Sequence, residues 1–123
     1  MFSTITTRSR NRLPEDDMFY KVIAIVRSSR LEAVEENLQR ANVRGITVTP
    51  VKGYGDYKNF FTADWMKPFV KIEVFTTRSQ AVADTIVDAA HTGQPGDGVV
   101  AIERIEDVIR IRERGSLRAH EDS

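Results

Sequence analysis

The sequence predicts an α+β domain in which two helices alternate with strands in the order strand–helix–strand–strand–helix–strand. Three observations support this class. Apolar residues recur at helical spacing in two segments. Stretches rich in β-branched and aromatic residues flank each of those segments, and glycine- or proline-containing turns separate them. This order is that of the ferredoxin-like double βαβ fold, whose antiparallel sheet carries both helices on one face.

The length and composition of the chain limit its class. A chain of 123 residues fits one domain with a single core. Its 18 basic and 18 acidic residues cancel, so no net charge attracts it to nucleic acid or anionic lipid. It has no cysteine, which excludes disulfides, thiolate metal sites and a cysteine nucleophile. Because neither a secretion signal nor a membrane-spanning apolar run is present, we expect a soluble cytoplasmic protein.

The chain divides into three parts. Residues 1–17 are polar and lack a sustained period, so we expect a flexible arm, or a strand that orders only against a partner. Residues 18–115 form the folded domain. Residues 116–123 form a tail, and the polar chain from Glu113 onward is expected to fray.

The first half of the domain contains a strand, a helix and an edge strand. Residues 19–27 (FYKVIAIVR) predict a central strand. A capping box at residues 29–32 begins the first helix. The apolar stripe of that helix consists of Leu31, Val34, Leu38 and Ala41. Residues 46–52 predict a second strand, which Pro50 restricts to a sheet edge or a bulge.

The second half repeats this pattern. Residues 69–75 alternate as a half-buried strand, whose apolar face consists of Val70, Ile72 and Val74. A capping box at residues 77–80 precedes a helix that ends at Gly93. The apolar residues of that helix are Val82, Ala83, Ile86, Val87, Ala89 and Ala90. Residues 99–105 predict a fourth strand, and residues 107–112 a turn and a short fifth strand.

Residues 53–68 form a long connection with no clear period. A connection of this length in a compact domain is usually functional or mobile. It holds more aromatic side chains than a solvated loop needs, namely Tyr54, Tyr57, Phe60, Phe61 and Trp65. They are candidates for a partner-binding surface; the alternative is that some of them pack on the core or in a subunit contact.

A glycine-rich loop at residues 92–98 (TGQPGDG) is the strongest indication of a binding site. Glycine tolerates positive φ, and a loop of this kind directs successive amides toward one point, which suits a phosphate. Asp97 can fix the turn or bind a ribose hydroxyl. The alternative is an ordinary helix C-cap on Gly93 followed by a turn. A second glycine pair, Gly53 and Gly55, favours a nucleotide site.

Arg110 and Arg112 give a second indication. They alternate with Ile109 and Ile111, which predicts both guanidinium groups on one strand face. The guanidinium fork suits two phosphate oxygens. A solvated strand face is the alternative for the arginine pair alone. Combined with the glycine loops, the pair predicts a nucleotide phosphate.

Evidence for an enzyme is thin. His91 and His120 are the only histidines, and neither lies at a recognisable metal-ligand spacing. The sequence shows no Ser–His–Asp order typical of a catalytic triad. No Lys-Ser/Thr pair follows the glycines, as it would in a Walker phosphate-binding loop. We therefore predict no catalytic residues and no metal requirement. The sheet face without helices would stay uncovered in a monomer, so we expect an oligomer.

These motifs resemble the PII signal-transduction family. The matching segments are residues 45–49, 51–55, 70–73, 92–98 and 108–112, within a similarity that runs from about Phe19 to Gly115. The resemblance implies a homotrimer with adenine-nucleotide sites in the clefts between subunits. It also implies a T-loop within residues 54–67 that docks on a membrane transporter or a metabolic enzyme, without direct membrane insertion or nucleic-acid binding.

The resemblance implies specific site residues. The implied nucleotide-binding set is Ile25, Thr47, Gly53, Gly55, Phe75, Thr92, Gly93, Gly96, Asp97, Gly98, Arg110 and Arg112. The implied partner contacts in the loop are Tyr57, Phe60, Phe61 and Trp65.

Four positions depart from the family pattern. Val99 replaces a lysine that reaches the outer phosphates, and Asp56 replaces a basic residue. Tyr57 replaces a glutamine that helps hold Mg-ATP and 2-oxoglutarate, and Phe69 replaces the lysine that holds the 2-oxoglutarate carboxylate. The T-loop is also shorter. We therefore predict that ADP or AMP binds at least as well as ATP, without magnesium, and that 2-oxoglutarate does not bind.

A pocket for a smaller anion could remain beside the nucleotide, with Lys52 or Lys58 as its cation. Bicarbonate fits by size and charge, and some divergent PII-like proteins are associated with inorganic-carbon uptake and carboxysomes. The competing functions are a nitrogen regulator of the ordinary PII kind, a small phosphoryl-handling enzyme on the same fold, and an assembly module with degenerate sites.

Overall fold

The computed structural model describes residues 18–51 and 69–116. They form a four-stranded sheet, two α-helices and a small C-terminal hairpin. The strands of the sheet are β1 (Phe19–Arg27), β2 (Thr47–Val51), β3 (Phe69–Thr76) and β4 (Gly98–Ile105). The helices are α1 (Leu31–Arg40), which follows a 3-10 turn at Ser28–Arg30, and α2 (Ser79–Ala90); the hairpin strands are β5 (Ile109–Arg110) and β6 (Gly115–Ser116). The predicted order of elements is confirmed.

The sheet has the order β2-β3-β1-β4, and every neighbouring pair is antiparallel. This arrangement confirms the ferredoxin-like α+β fold. β1 is central, as predicted, and pairs along its length with β3 and β4. β2 lies at an edge, where Pro50 stands opposite Val70. An edge strand tolerates this proline because its outer side needs no ladder hydrogen bond.

Both helices cover one face of the sheet and enclose a single core. Its central members are Val22, Ala24, Val26, Val34, Leu38, Ile72, Val74, Val82 and Ile86. The predicted apolar stripes of both helices therefore face the sheet. Val87 is an exception, because 47% of it is exposed. It lies at the flank of α2 rather than over the centre of the sheet.

The predicted capping box at Ser29 does not form. The turn at Ser28–Arg30 already has helical geometry, and the Leu31 amide donates to the Ser28 carbonyl, so a Ser29 cap is not used. Arg30 holds the N-cap of α1 without a side-chain capping hydrogen bond. Before α2, the buried Thr76 hydroxyl accepts a hydrogen bond from the Arg78 amide at 2.9 Å. The Thr76 hydroxyl therefore helps fix the turn that leads into α2, whose N-cap residue is Arg78.

The C-terminal hairpin corrects the prediction for the two arginines. Arg110 lies in β5, but Arg112 lies in the following turn, so they do not share a strand face. The turn is closed by the Arg114 amide, which donates to the Arg110 carbonyl at 2.8 Å, and Arg114 takes a positive φ of 58°. The expected fraying from residue 113 is also wrong as far as Ser116, because β6 pairs with β5.

The sheet face opposite the helices carries apolar and charged side chains together. Register places Ile25 directly opposite Val99, and Lys21 opposite Phe75. Phe75 is 47% exposed and Val99 is 45% exposed. Lys21 Nζ lies 3.5 Å from a carboxylate oxygen of Glu73. This face, called the open face below, presents large apolar side chains to solvent in the single chain.

Candidate functional site

The glycine loop, residues 92–98, connects α2 to the edge strand β4. α2 ends at Ala90, and the His91 amide closes its last turn on the Val87 carbonyl at 3.0 Å. All three glycines of the loop take positive φ, +85° at Gly93, +89° at Gly96 and +110° at Gly98. The loop therefore needs glycine at these positions, as predicted. Gly93 is not a cap that directly follows the helix, because two residues separate it from Ala90.

Asp97 organises the first half of the loop. Its Oδ2 accepts hydrogen bonds from the Thr92 amide at 2.8 Å and the Gly93 amide at 2.9 Å. Its Oδ1 accepts a hydrogen bond from the Thr92 hydroxyl. The Thr92 hydroxyl oxygen in turn accepts from the Gln94 amide at 3.1 Å. Asp97 was expected either to fix the turn or to bind a ribose hydroxyl, and this geometry supports the first role. Its carboxylate accepts hydrogen bonds from two amides that were expected to bind a phosphate.

These contacts change the acidity of Asp97. Partial burial raises the pKa of its carboxyl, but hydrogen bonds to the carboxylate outweigh burial. The donors are the Thr92 hydroxyl, the amides of Thr92 and Gly93, and the Arg27 guanidinium. Together they hold the pKa well below its ordinary value, so Asp97 is ionised at every physiological pH.

Two arginines from the first βα unit hold this region from the other side. Arg27, the last residue of β1, donates from Nε to Asp97 Oδ1 at 3.3 Å and from Nη2 to the Pro95 carbonyl at 2.6 Å. Arg30 donates from Nε and Nη2 to the Ala89 carbonyl at 3.0 and 2.6 Å, near the C-terminal end of α2. Cations are favourable at a helix C-terminus, where unpaired carbonyls point outward.

Gly98 allows the loop to join the sheet at close range. A β-carbon at this position would lie 1.8 Å from the carbonyl oxygen of Ile25. Only glycine therefore permits this backbone contact, which brings two of the predicted site residues together. A cavity of about 160 Å³ lies beside the loop. Its lining is Val26, Val87, Ala90, His91, Asp97, Gly98, Val99 and Val100.

The remaining predicted site residues fall into three groups. Thr47 and Phe75 lie on the open face with Ile25, on β2 and β3 respectively. Arg110 and Arg112 lie on the C-terminal hairpin, where Arg110 Nε contacts Glu113 Oε1 at 3.3 Å. The rest lie outside the described residues, namely Lys52, Gly53, Gly55, Tyr57, Lys58, Phe60, Phe61 and Trp65.

Arg27 and Arg30 were missed as contributors to this region. The contacts of Arg27 depend on β1 and β4 being neighbours with Val26 opposite Gly98, and those of Arg30 on its reaching Ala89 of α2, 59 residues further along the chain. No local sequence pattern reveals either. A larger cavity, of about 580 Å³, lies near the start of α2. It is lined by Gln39, Asn42, Val43, Arg44 and Arg78, none of which is a predicted site residue.

Within residues 18–51 and 69–116, the structure contains no group of three or more His, Asp or Glu side chains that could hold a metal ion. None of the helices in the same ranges is long and apolar enough to cross a membrane.

The fold and this loop define a ferredoxin-like α+β domain with an ordered glycine loop between its second helix and an edge strand. Comparison with known proteins places it more closely. The family model described as nitrogen regulatory protein P-II matches residues 19–115. The chain therefore belongs to the P-II family, which confirms the resemblance and makes it a member of a family of regulatory proteins.

Individual relatives agree with this assignment. The nitrogen regulatory protein P-II of Rhizobium meliloti (strain 1021) is 38% identical over 102 residues, which cover 75% of this chain and 90% of the relative. The P-II homolog of Arabidopsis thaliana is 38% identical over 112 residues, which cover 81% of this chain but only 57% of the relative. A crystal structure of Arabidopsis thaliana PII bound to citrate has a TM-score of 0.67 at 34% identity, covering 85% of this chain and 91% of that one.

Proposed function

We propose that this protein is a nucleotide-sensing regulator that binds ADP or AMP at the glycine loop and acts on a partner through its T-loop. The observation that carries the proposal is the loop itself, which Asp97 holds in shape and which Gly98 seats against Ile25. Because the amides of Thr92 and Gly93 already donate hydrogen bonds to Asp97, phosphate oxygens would accept hydrogen bonds from the amides from Gly96 onward.

A preference for ADP and AMP follows from the charges around the loop. Val99 follows Gly98 on β4 and offers no cation to an outer phosphate. Asp56, which lies outside the described residues, is a carboxylate at a position where the family pattern has a basic residue. A missing charge-assisted contact costs about 1.5–3 kcal/mol, or about one to two decades in affinity. ATP should therefore gain nothing over ADP from its γ-phosphate, with or without magnesium.

A homotrimer is part of the proposal, because the site would lie between copies of the chain. The open face exposes Phe75 and Val99, and the hairpin exposes Ile109 to 63% and Ile111 to 91%. Side chains of this kind are stabilised when a neighbouring subunit covers them. Light scattering at micromolar concentration should give the mass of a trimer, and a monomer would contradict this part of the proposal.

The partner would be a membrane transporter or a metabolic enzyme of the cytoplasm. Tyr57, Phe60, Phe61 and Trp65 are the candidate contacts, since Tyr and Trp are effective anchors when a partner buries them. Trp65 is the only tryptophan of the chain. Its fluorescence should change on nucleotide binding; an unchanged spectrum together with unchanged protease sensitivity across residues 56–66 would contradict a role for this loop.

A small anion is the proposed second ligand, with bicarbonate as the candidate and a link to inorganic-carbon assimilation or carboxysomes as its setting. Phe69 is buried, so a 2-oxoglutarate carboxylate placed against it would lose its hydrating water, and no cation at this position would compensate for that loss. ADP should bind more tightly when bicarbonate is added at fixed pH and ionic strength. Unchanged ADP affinity, together with tight 2-oxoglutarate binding, would contradict the proposal.

The names of the relatives favour a second candidate, nitrogen regulation of the ordinary PII kind. Arabidopsis PII in its crystal structure is bound to citrate, which is a carboxylate ligand. Calorimetry with AMP, ADP and ATP, each with and without magnesium, separates the candidates. Binding of ADP and AMP at least as tight as that of ATP supports our proposal, whereas ATP binding that is tighter and depends on magnesium supports the second candidate.

A further inference from the structure

We propose that Arg27 is a positioning residue for the nucleotide site, because it compensates the negative charge of Asp97 and holds the glycine loop in place without contacting the nucleotide. The inference rests on the proposed function. It assigns part of the protein's affinity for ADP to a side chain outside the nucleotide-binding set. Arg27 lies at the end of β1, and its partners lie 68 and 70 residues further along the chain. It is therefore a long-range connection between the central strand and the loop.

The first role of Arg27 is geometric. Its guanidinium bonds two points of the loop at once, the Pro95 carbonyl at 2.6 Å and Asp97 Oδ1 at 3.3 Å. Asp97 in turn fixes the amides of Thr92 and Gly93. Three glycines in a short loop give the backbone many alternative conformations, so an unrestrained loop would lose entropy when a ligand orders it. A loop that is already held avoids that cost on binding.

The second role is electrostatic. Asp97 places a carboxylate inside the loop that would bind a phosphate, and the negative charges of the carboxylate and the phosphate repel each other. The exposed fraction is 26% for the Arg27 side chain and 23% for that of Asp97, so water screens this ion pair only in part. With Arg27 in place, the pair presents no net charge to the ligand. Without Arg27, an incoming phosphate meets an uncompensated carboxylate.

The two roles make a specific prediction for a double variant. Arg27→Gln removes both the clamp and the countercharge, so the affinity for ADP should fall about tenfold or more. Arg27→Lys keeps the charge but cannot reproduce the fork, so its affinity should lie between those of Arg27→Gln and the parent protein. Adding Asp97→Asn to Arg27→Gln removes the uncompensated charge. The double variant should therefore bind ADP more tightly than Arg27→Gln alone.

Arg78→Gln is the matched control. Arg78 also donates a side-chain hydrogen bond to a backbone carbonyl, that of Ala41 at 3.0 Å. It precedes α2, whereas the glycine loop follows it, and a helix of 12 residues spans about 18 Å. We expect this variant to bind ADP within about twofold of the parent protein, even if its melting temperature falls.

The experiment is calorimetric titration of the full chain and these variants with ADP, with the thermal midpoint and the oligomeric mass measured in parallel. Amide hydrogen exchange without ligand gives a second readout: Thr92 and Gly93 should lose protection in Arg27→Gln and keep it in Arg78→Gln. Equal ADP affinity in Arg27→Gln and the parent, or a double variant that binds ADP no more tightly than Arg27→Gln, would overturn the inference alone. A parent protein that binds no ADP would overturn the proposed function, and the inference with it.

Discussion

The α-carbon of Gly98 and the carbonyl oxygen of Ile25 approach so closely that a β-carbon on residue 98 would lie 1.8 Å from that oxygen. The contact joins the end of the glycine loop to the central strand. It also requires a φ of +110°, which side-chain-bearing residues rarely adopt. The loop and the sheet are therefore coupled through the backbone itself, in addition to the Arg27 side chain.

Three glycine-to-alanine variants should differ in stability according to their surroundings. Gly98→Ala should lower the free energy of unfolding by about 2–4 kcal/mol, since it adds both a clash and backbone strain. Gly93→Ala should cost about 1–2 kcal/mol, because its φ is +85° but its surroundings leave room for a β-carbon. Gly45→Ala, where nothing lies within 4 Å, is the control and should change stability by less than about 0.5 kcal/mol. Denaturant unfolding measures all three, and equal losses would contradict this account.

Asp97→Asn should destabilise the protein in a pH-dependent way. The folded pKa of Asp97 is depressed, so its contribution is complete above the unfolded value of about 3.9 and is lost as pH falls toward the folded pKa. The parent should therefore exceed Asp97→Asn by about 1.5–3 kcal/mol at pH 7, and by progressively less from pH 5 to pH 2. Asp84→Asn, an exposed carboxylate bonded by Gln80, is the control. A difference that stays constant with pH would contradict the assignment.

Arg110 and Arg112 should affect nucleotide binding more than folding. The Arg110–Glu113 pair is exposed, at 42% and 58% of the two side chains, and such pairs contribute about 0–1 kcal/mol. Arg110→Gln or Arg112→Gln should leave the unfolding midpoint nearly unchanged and lower ADP affinity about tenfold. Arg104→Gln, on the exposed surface of β4, should change neither quantity. Unchanged ADP affinity in both hairpin variants would remove these arginines from the site.

Val99→Lys should convert the nucleotide preference. Val99 is 45% exposed in the single chain, and the long stem of a lysine at this position can extend its charge toward a nucleotide in the cleft between subunits. ATP affinity should rise about tenfold, with a smaller change for ADP, because the new cation serves the outer phosphate. Ile102→Lys adds the same charge further along β4 and should have little effect. A rise of equal size for both nucleotides, or for neither, would show that Val99 does not determine the preference.

Much of the fold could be predicted because it depends on periodicity. The alternation of Val70, Ile72 and Val74 and the stripes of both helices follow from which face meets the core. The caps could not be predicted in the same way. Ser29 satisfies the capping pattern, but it lies within the 3-10 turn that precedes α1, and the helix begins without a side-chain cap.

The site was predictable where it depends on backbone conformation and not where it depends on tertiary contact. Positive φ at Gly93, Gly96 and Gly98 follows from the residue type. Arg27 joins the loop only through the pairing of β1 with β4, so its role needed the structure. The alternation of Arg110 and Arg112 with two isoleucines was misleading, because the turn that follows Arg110 reverses the chain before the strand can reach Arg112.

The most direct test of the central claim is amide hydrogen exchange of the protein with and without saturating ADP. We predict that ADP slows exchange in peptides that cover residues 92–98 and 110–112 and leaves the peptides that cover residues 39–44, around the larger cavity, unchanged. Protection confined to residues 39–44, or no protection anywhere at an ADP concentration that calorimetry shows to be saturating, would contradict a nucleotide site at the glycine loop.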